Sequence, residues 1–300
     1  MTNLTSQQFV LKDGYRLGYA EYGDLHGDPL FYCHGFPASR LEAQIIDAAA
    51  KRNRWHLIAV DRPGYGLSDF KPGRCMLDWP DNVAELANAL DLSPFSLLGI
   101  SGGGPYVLAC AWKIPAYLRG VGIVNGLGPV YESWAAHDMK WPARLGFGLA
   151  KRASWLLPLV YGGIVAQALY WFPRVTQSLL TISAPKADSL VLKRPDIEAF
   201  LLASMREALH KGPQGALLDF KLYAHPWGFR LEDIRLKIHL WQGEADATVP
   251  ASHARYLEKI LPSAQAQYFP DEGHFSLPIN YMDNILGALK EMQASPELSL

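Results

Sequence analysis

Phe95-Ser96-Leu97-Leu98-Gly99-Ile100-Ser101-Gly102-Gly103-Gly104-Pro105-Tyr106 is the stretch on which the fold of this chain turns. It opens on a short apolar run, passes through a G-x-S-x-G pattern at Gly99–Gly103, and leads into a helical stretch, Gly102–Lys113. A serine between a strand and a helix sits in a sharp, strained turn that leaves no room for neighbouring side chains. Gly99, Gly102, Gly103 and Gly104 supply that room. Pro105 falls in the first helical turn, where its missing N–H costs little. The bland alternative is a glycine-rich helix start with a bystander serine.

Outward from this elbow the same rhythm repeats: a short apolar run, a Gly/Pro/polar turn, a helix. Upstream lie Leu30–Cys33 and Leu57–Val60; downstream lie Val121–Val124, Ile238–Trp241 and Ala266–Phe269. Runs without alternation, spaced by helices, predict strands buried on both faces of a parallel sheet. Helices are predicted at Leu41–Lys51, Trp79–Leu90, Gly102–Lys113, Ser252–Ile260 and Tyr281–Met292. At the start, Phe9–Lys12 and Tyr15–Tyr22 flank Asp13-Gly14, which suits a type I′ hairpin turn. The expectation is an α/β fold with a mostly parallel eight-stranded sheet flanked by helices.

Between about Gly128 and His225 the rhythm breaks into helix-like sequence rich in Trp, with no convincing strand. This predicts a helical cap at 129–226 inserted between core segments 1–128 and 227–300, over the carboxyl edge of the strands where ligands bind. Within it, Ala153 to Pro173 carries no charged residue for 21 positions. That length could just span a bilayer. Pro158, Gly162, Gly163 and Gln167 argue against a span and for broken apolar helices over a pocket.

Composition narrows the function classes. The 300 residues are 49% hydrophobic, with 28 Lys and Arg against 29 Asp and Glu. There is no basic stripe for nucleic acid and no charged tail. Three cysteines without a CxxC spacing indicate neither a disulfide framework nor a zinc site. The N-terminal sequence lacks the basic and apolar regions of a signal peptide, so the expected location is cytoplasmic, with membrane contact unlikely.

The chemistry expected at the elbow is nucleophilic. Ser101 needs a base and the base needs an acid. His274, in Asp271-Glu272-Gly273-His274-Phe275, follows the last apolar run and precedes a terminal helix, so its loop can swing over the sheet edge. Asp246, in Gly243-Glu244-Ala245-Asp246, follows Ile238–Trp241 and is the candidate acid; Glu244 is its rival. Asn125, after Val121–Val124, carries no charge. Gly102 N–H, at a helix N-terminus, can donate to an oxyanion. Phe36 N–H, in His34-Gly35-Phe36-Pro37, can supply a second donor, since Pro37 has none. His34 reads as a brace for that loop. His210, His225 and His253 read as helical or cap surface residues. Asp61 and Arg62, in Asp61-Arg62-Pro63-Gly64-Tyr65-Gly66-Leu67-Ser68, read as structural: they can pair and satisfy loop N–H groups.

With these residues assembled, the chain resembles the α/β-hydrolase superfamily, in its group of capped esterase-like enzymes. HGFP at 34–37, DRPGYGLS at 61–68, GISGGGPY at 99–106, GEADATVP at 243–250 and EGHFS at 272–276 are similar to that family's landmarks in their usual order. The resemblance covers roughly 7–128 and 227–295 and leaves the cap unmatched. It implies Ser101 as nucleophile, Asp246 as acid, His274 as base, and Phe36 and Gly102 as oxyanion donors, with no metal and no cofactor. A serine at the elbow departs from the dehalogenases and epoxide hydrolases of the fold, which use Asp there, and GISGG is not the GGSWG of proline iminopeptidases. The expected activity is cleavage of a carboxylic ester of a small to medium, largely apolar substrate through an acyl-enzyme. Thioester, lactone or carbon–carbon cleavage, perhydrolysis, and a slow-turnover ligand receptor are the alternatives. Oligomeric state is not legible.

Overall fold

A computed structural model describes residues 4–294 of the chain. Eight strands form one sheet: β1 (Gln7–Val10), β2 (Arg16–Gly23), β3 (Asp28–Cys33), β4 (Trp55–Val60), β5 (Phe95–Ile100), β6 (Leu118–Val124), β7 (Ile238–Gly243) and β8 (Ala264–Phe269). Their order is β1-β2-β4-β3-β5-β6-β7-β8. The β1–β2 and β2–β4 pairs are antiparallel and the rest are parallel. The six runs expected from Leu30 onward each fall inside a strand, while the first two, Phe9–Lys12 and Tyr15–Tyr22, overlap β1 and β2 with shifted ends. β4 and β5 are buried along their whole length, which is why they show no polar alternation.

The register aligns the strand ends that matter. Ile100 pairs with Val124, Val124 with Trp241, and Gly243 with Phe269. Ser101, Asn125 and the loops after Gly243 and Phe269 therefore leave the sheet along the same carboxyl edge.

Helices α1 (Asp47–Arg52), α2 (Asp78–Ala89), α3 (Gly104–Lys113), α10 (Ala251–Ile260) and α11 (Ser276–Ala294) flank the sheet. The helix expected at Leu41–Lys51 divides into a 3₁₀ turn, Arg40–Ile46, followed by α1. In that tighter turn Arg40 and Glu42 are both held inward, by Asp61 and by the Gly35 N–H. The first hairpin also differs from expectation. Only Gly14 has a positive φ, whereas a type I′ turn needs two such residues. The connection is wider, closed by Leu11 N–H donating to the Tyr15 carbonyl.

Between β6 and β7 every element is helical: α4 (Trp141–Arg152), a π-helical turn (Pro158–Val165), α5 (Ala166–Trp171), α6 (Pro173–Ser183), α7 (Lys186–Leu192), α8 (Pro195–Leu209), α9 (Gln214–Ala224) and a 3₁₀ turn (Leu231–Asp233). No described helix is long and apolar enough to cross a membrane. The insertion is packed onto the core: Phe147, Tyr161, Phe220 and Tyr223 belong to the same apolar cluster as Phe31, Val107 and Ile123.

Candidate active site

Ser101 follows β5 directly and has φ +55, a backbone conformation that serine rarely adopts. The close packing around it explains the glycines. A Cβ on Gly103 would lie 2.1 Å from the Cys33 carbonyl oxygen, and one on Gly102 would lie 2.8 Å from both the Phe36 Cβ and the Tyr223 hydroxyl. Gly102 and Phe36 are thus neighbours, as a two-donor oxyanion site requires.

His274 lies in the loop between β8 and α11. Its Nδ1–H donates to Asp246 Oδ2 at 2.7 Å, which leaves Nε2 as the free basic nitrogen. Asp246 is fixed in turn: its Oδ1 accepts from Thr248 N–H at 2.7 Å and Val249 N–H at 2.8 Å. Glu244, the rival acid, instead pairs with Arg255 on the surface. The imidazole is buried, which disfavours its charged form. The carboxylates of Asp246, Asp188 and Glu42 outweigh that penalty and hold its pKa above the ordinary imidazole value.

Two side chains hold the His274 loop from outside it. Asn125 Nδ2–H donates to the carbonyls of Gly273 and His274, both at 3.0 Å, while its Oδ1 accepts from Gly243 N–H at 2.9 Å. Asp188, on α7 of the insertion, accepts from the N–H groups of His274, Phe275 and Ser276, each at 2.9 Å. Asn125 is what the sequence offers in place of an acid after β6. Asp188 carried no sequence signal, since it is one acid in an unmatched helical region.

Glu42 is a further carboxylate of the site that sequence reading passed over. A Cβ placed on Gly35 would be 3.0 Å from Glu42 Oε1 and 3.6 Å from Ser101 Cβ, so both crowd one point. Glu42 Oε2 accepts from Gly35 N–H at 2.7 Å and from the Tyr32 hydroxyl at 2.8 Å. Burial pushes its pKa up, against the pull of those donors. Glu42 and His274 line a small pocket of about 50 Å³, whose other walls include Ile45, Ile100, Leu201 and Ile279. The signal available was Glu42's place one helical turn beyond the HGFP loop.

The expected brace role of His34 is what the structure shows. Its Nδ1–H donates to the Gly35 carbonyl, and Nε2 accepts from Arg62 N–H. Burial, with Arg62 nearby, keeps its pKa well below the usual value, so it stays neutral. Asp61 and Arg62 are structural but do not pair with each other. Asp61 binds Arg40 at 2.9 Å. Arg62 binds Asp219 of α9 at 2.9 Å and donates to the His34 and Gly35 carbonyls. Asp219 also accepts from Arg74 and from the hydroxyls of Tyr65 and Tyr106. Burial works against its charged form, yet the two guanidiniums bring its pKa down to about 2. Tyr223, one turn along α9, donates to the Gly102 carbonyl at 2.8 Å. The insertion therefore grips both loops that carry the expected oxyanion donors. His253, expected on a surface, is fully buried: it accepts from Gly128 N–H and donates to the Ala135 carbonyl. It spans a loop and a helix, a pairing that neighbouring sequence does not show.

Residues 28–281 match the family described as alpha/beta hydrolase fold. The chain belongs to that family. A serine hydrolase-like protein of Danio rerio is 33% identical over 86 residues, which is 28% of this chain and only 26% of that protein. Among solved structures, an alpha/beta hydrolase fold protein from Nakamurella multipartita superposes with TM-score 0.70 at 20% identity, covering 97% of this chain and 100% of the other. A thermophilic esterase from Thermogutta terrifontis gives TM-score 0.65 at 21% identity, covering 97% and 96%. At such identities the structural likeness speaks for the fold alone.

Proposed function

We propose that this α/β hydrolase cleaves carboxylic esters with Ser101 as nucleophile, His274 as general base and Asp246 as the acid that orients it. The observation that carries the proposal is the His274–Asp246 bond. A buried carboxylate, itself fixed by two backbone N–H groups, holds Nδ1 of an imidazole on the sheet edge that also bears the strained Ser101. The esterase among the structural relatives fits the same reading.

In the proposed reaction, Ser101 Oγ attacks the ester carbonyl and its proton passes to His274 Nε2. The negative charge on the carbonyl oxygen is received by the N–H groups of Phe36 and Gly102, each worth about 3 kcal/mol in the barrier. Collapse of the tetrahedral species breaks the C–O bond, and His274 returns its proton to the departing alkoxide. Water then repeats the sequence on the acyl-enzyme and frees the acid. Asp246 holds the imidazole in place and stabilises the imidazolium throughout. The apolar walls of the pocket suit a small to medium apolar acyl or alcohol group. The helical insertion at 129–226 acts as a cap on that pocket, to which it contributes Leu201.

The test is labelling with a fluorophosphonate, followed by mapping of the modified peptide and by turnover of a short p-nitrophenyl ester. Modification of Ser101, and loss of both labelling and turnover in Ser101→Ala, are the expected results. Turnover retained by Ser101→Ala would overturn the assignment.

A further inference from the structure

The uncharged run from Ala153 to Pro173 forms no helix long and apolar enough to cross a membrane, because a non-helical stretch, the π-helical turn and a break at Phe172 divide it. Nor is it buried. Ten of the fourteen exposed large apolar side chains among the described residues lie between Trp141 and Ile182, all on the helical insertion. Trp155 (77% exposed), Leu159, Ile164, Trp171 (66%), Phe172 and Val175 belong to this set. Scattered exposed apolar residues are ordinary, but a contiguous apolar patch marks an interaction surface, and Trp171, Phe172 and Val175 share one.

Charge segregates onto the same segment. Between Asp138 and Asp188 there is no Asp or Glu, while Lys140, Arg144, Lys151, Arg152, Arg174 and Lys186 all lie there. The whole chain has a formal net charge of -1, so this excess is local. Among the described residues none of the six takes part in an ion pair; Lys140 and Lys151 donate only to backbone carbonyls. An open groove is lined by Trp171, Phe172 and Val175 together with Leu202 of α8, and Arg174 and Arg206 also line it.

We propose that this face of the insertion docks on the surface of an anionic phospholipid bilayer, lying in the interface without spanning it. Tryptophan rings suit the headgroup level, where an apolar body meets a polar edge. Lysine and arginine stems run along apolar surface and deliver their charges to lipid phosphates. A second copy of the chain is the poorer partner. A two-fold contact through the groove would set Arg174 and Arg206 against their own copies. Helix α8 joins the two features, since Leu201 lines the pocket beside His274 and Leu202 lines the groove. A bilayer at this face would bring apolar molecules to the wall of the pocket.

The experiment is co-flotation of the full chain with vesicles of phosphatidylcholine, with and without phosphatidylglycerol, at low and high salt. It does not depend on the triad assignment, because the readout is binding. Binding is expected on phosphatidylglycerol vesicles, weakening in high salt. Arg174→Glu with Arg206→Glu should weaken it roughly tenfold or more, since each basic residue near an anionic surface contributes about a fivefold factor. Trp171→Ser with Phe172→Ser should do the same by removing apolar anchors, with hydrolysis of a soluble short-chain ester unchanged. All four positions are exposed, and thermal melting verifies that each variant is folded. Failure to float with either vesicle, equal binding to uncharged vesicles, or a dimer in sedimentation that the same substitutions dissolve would overturn the proposal.

Discussion

Replacing Asp188 tests whether the insertion holds the histidine loop in its working place. The side chain is 1% exposed, and its two oxygens divide three backbone donors. Oδ1 accepts from Phe275 and Ser276, and Oδ2 accepts from His274. These N–H groups lie at and just before the start of α11, where a helix has no partners of its own and favours negative charge. Hydrogen bonds to a charged group are worth about 1.5–3 kcal/mol each. Asp188→Ala orphans three of them in a buried place and is expected to cost about 4 kcal/mol, less than the full sum because the loop relaxes. Asp188→Asn can keep its carbonyl oxygen on Phe275 and Ser276, but its amide then faces the His274 N–H. One bond is lost, for about 2 kcal/mol. A displacement of about 1 Å of a catalytic group can cost on the order of a hundredfold in rate. Fluorophosphonate labelling of Ser101 should therefore slow at least tenfold in Asp188→Ala and by an intermediate factor in Asp188→Asn. Stability comes from urea unfolding and rate from the second-order labelling constant. Labelling within twofold of the parent protein in both variants, with stability lowered by less than about 1 kcal/mol, would refute the reasoning.

Further outcomes follow from the charges of the site. The His274 pKa lies above the ordinary imidazole value, so kcat/KM for an ester should rise with pH through a midpoint higher than that of a free imidazole. Glu42→Gln removes a negative charge that favours the imidazolium, so the midpoint should move to lower pH; an unmoved or higher midpoint would exclude Glu42 as one of its causes. Asp219 has its folded pKa depressed to about 2. Its stabilising contribution is therefore fully present above the unfolded carboxylate value, near 4, and is lost as pH falls from there towards 2. Asp219→Asn leaves Arg62 and Arg74 buried without their carboxylate and should cost about 3–5 kcal/mol in urea unfolding at neutral pH. A loss below about 1 kcal/mol would show that the guanidiniums are satisfied without it.

Much of this molecule is written in short-range pattern. An apolar run followed by glycines around a serine has few physical solutions. Strand, elbow and helix at Phe95–Lys113 follow from excluded volume at Gly99, Gly102 and Gly103. His274 and Asp246 were legible because each follows an apolar run that only a buried parallel strand explains. Their convergence is then fixed by the parallel register, which sends successive strand ends to one edge. The first hairpin forms around Asp13-Gly14 as expected, and only its turn type differs; the distant Lys71 pairs with Asp13 beside it, a contact that local sequence does not show.

The sequence by itself thus determined the strands and the elbow and singled out three candidate residues, because each depends on near neighbours and on the period of burial. Only the tertiary structure decided which distant groups complete the site. Asp188 meets the His274 loop across 86 positions, Asp219 meets Arg62 across 157, and Glu42 is brought beside Ser101 by packing. It alone also decided which side chains of the insertion's apolar run face outward. Hydrophobicity in a sequence states how much surface a segment would remove from water; the fold determines whether the rest of the chain covers that surface or leaves it for something else.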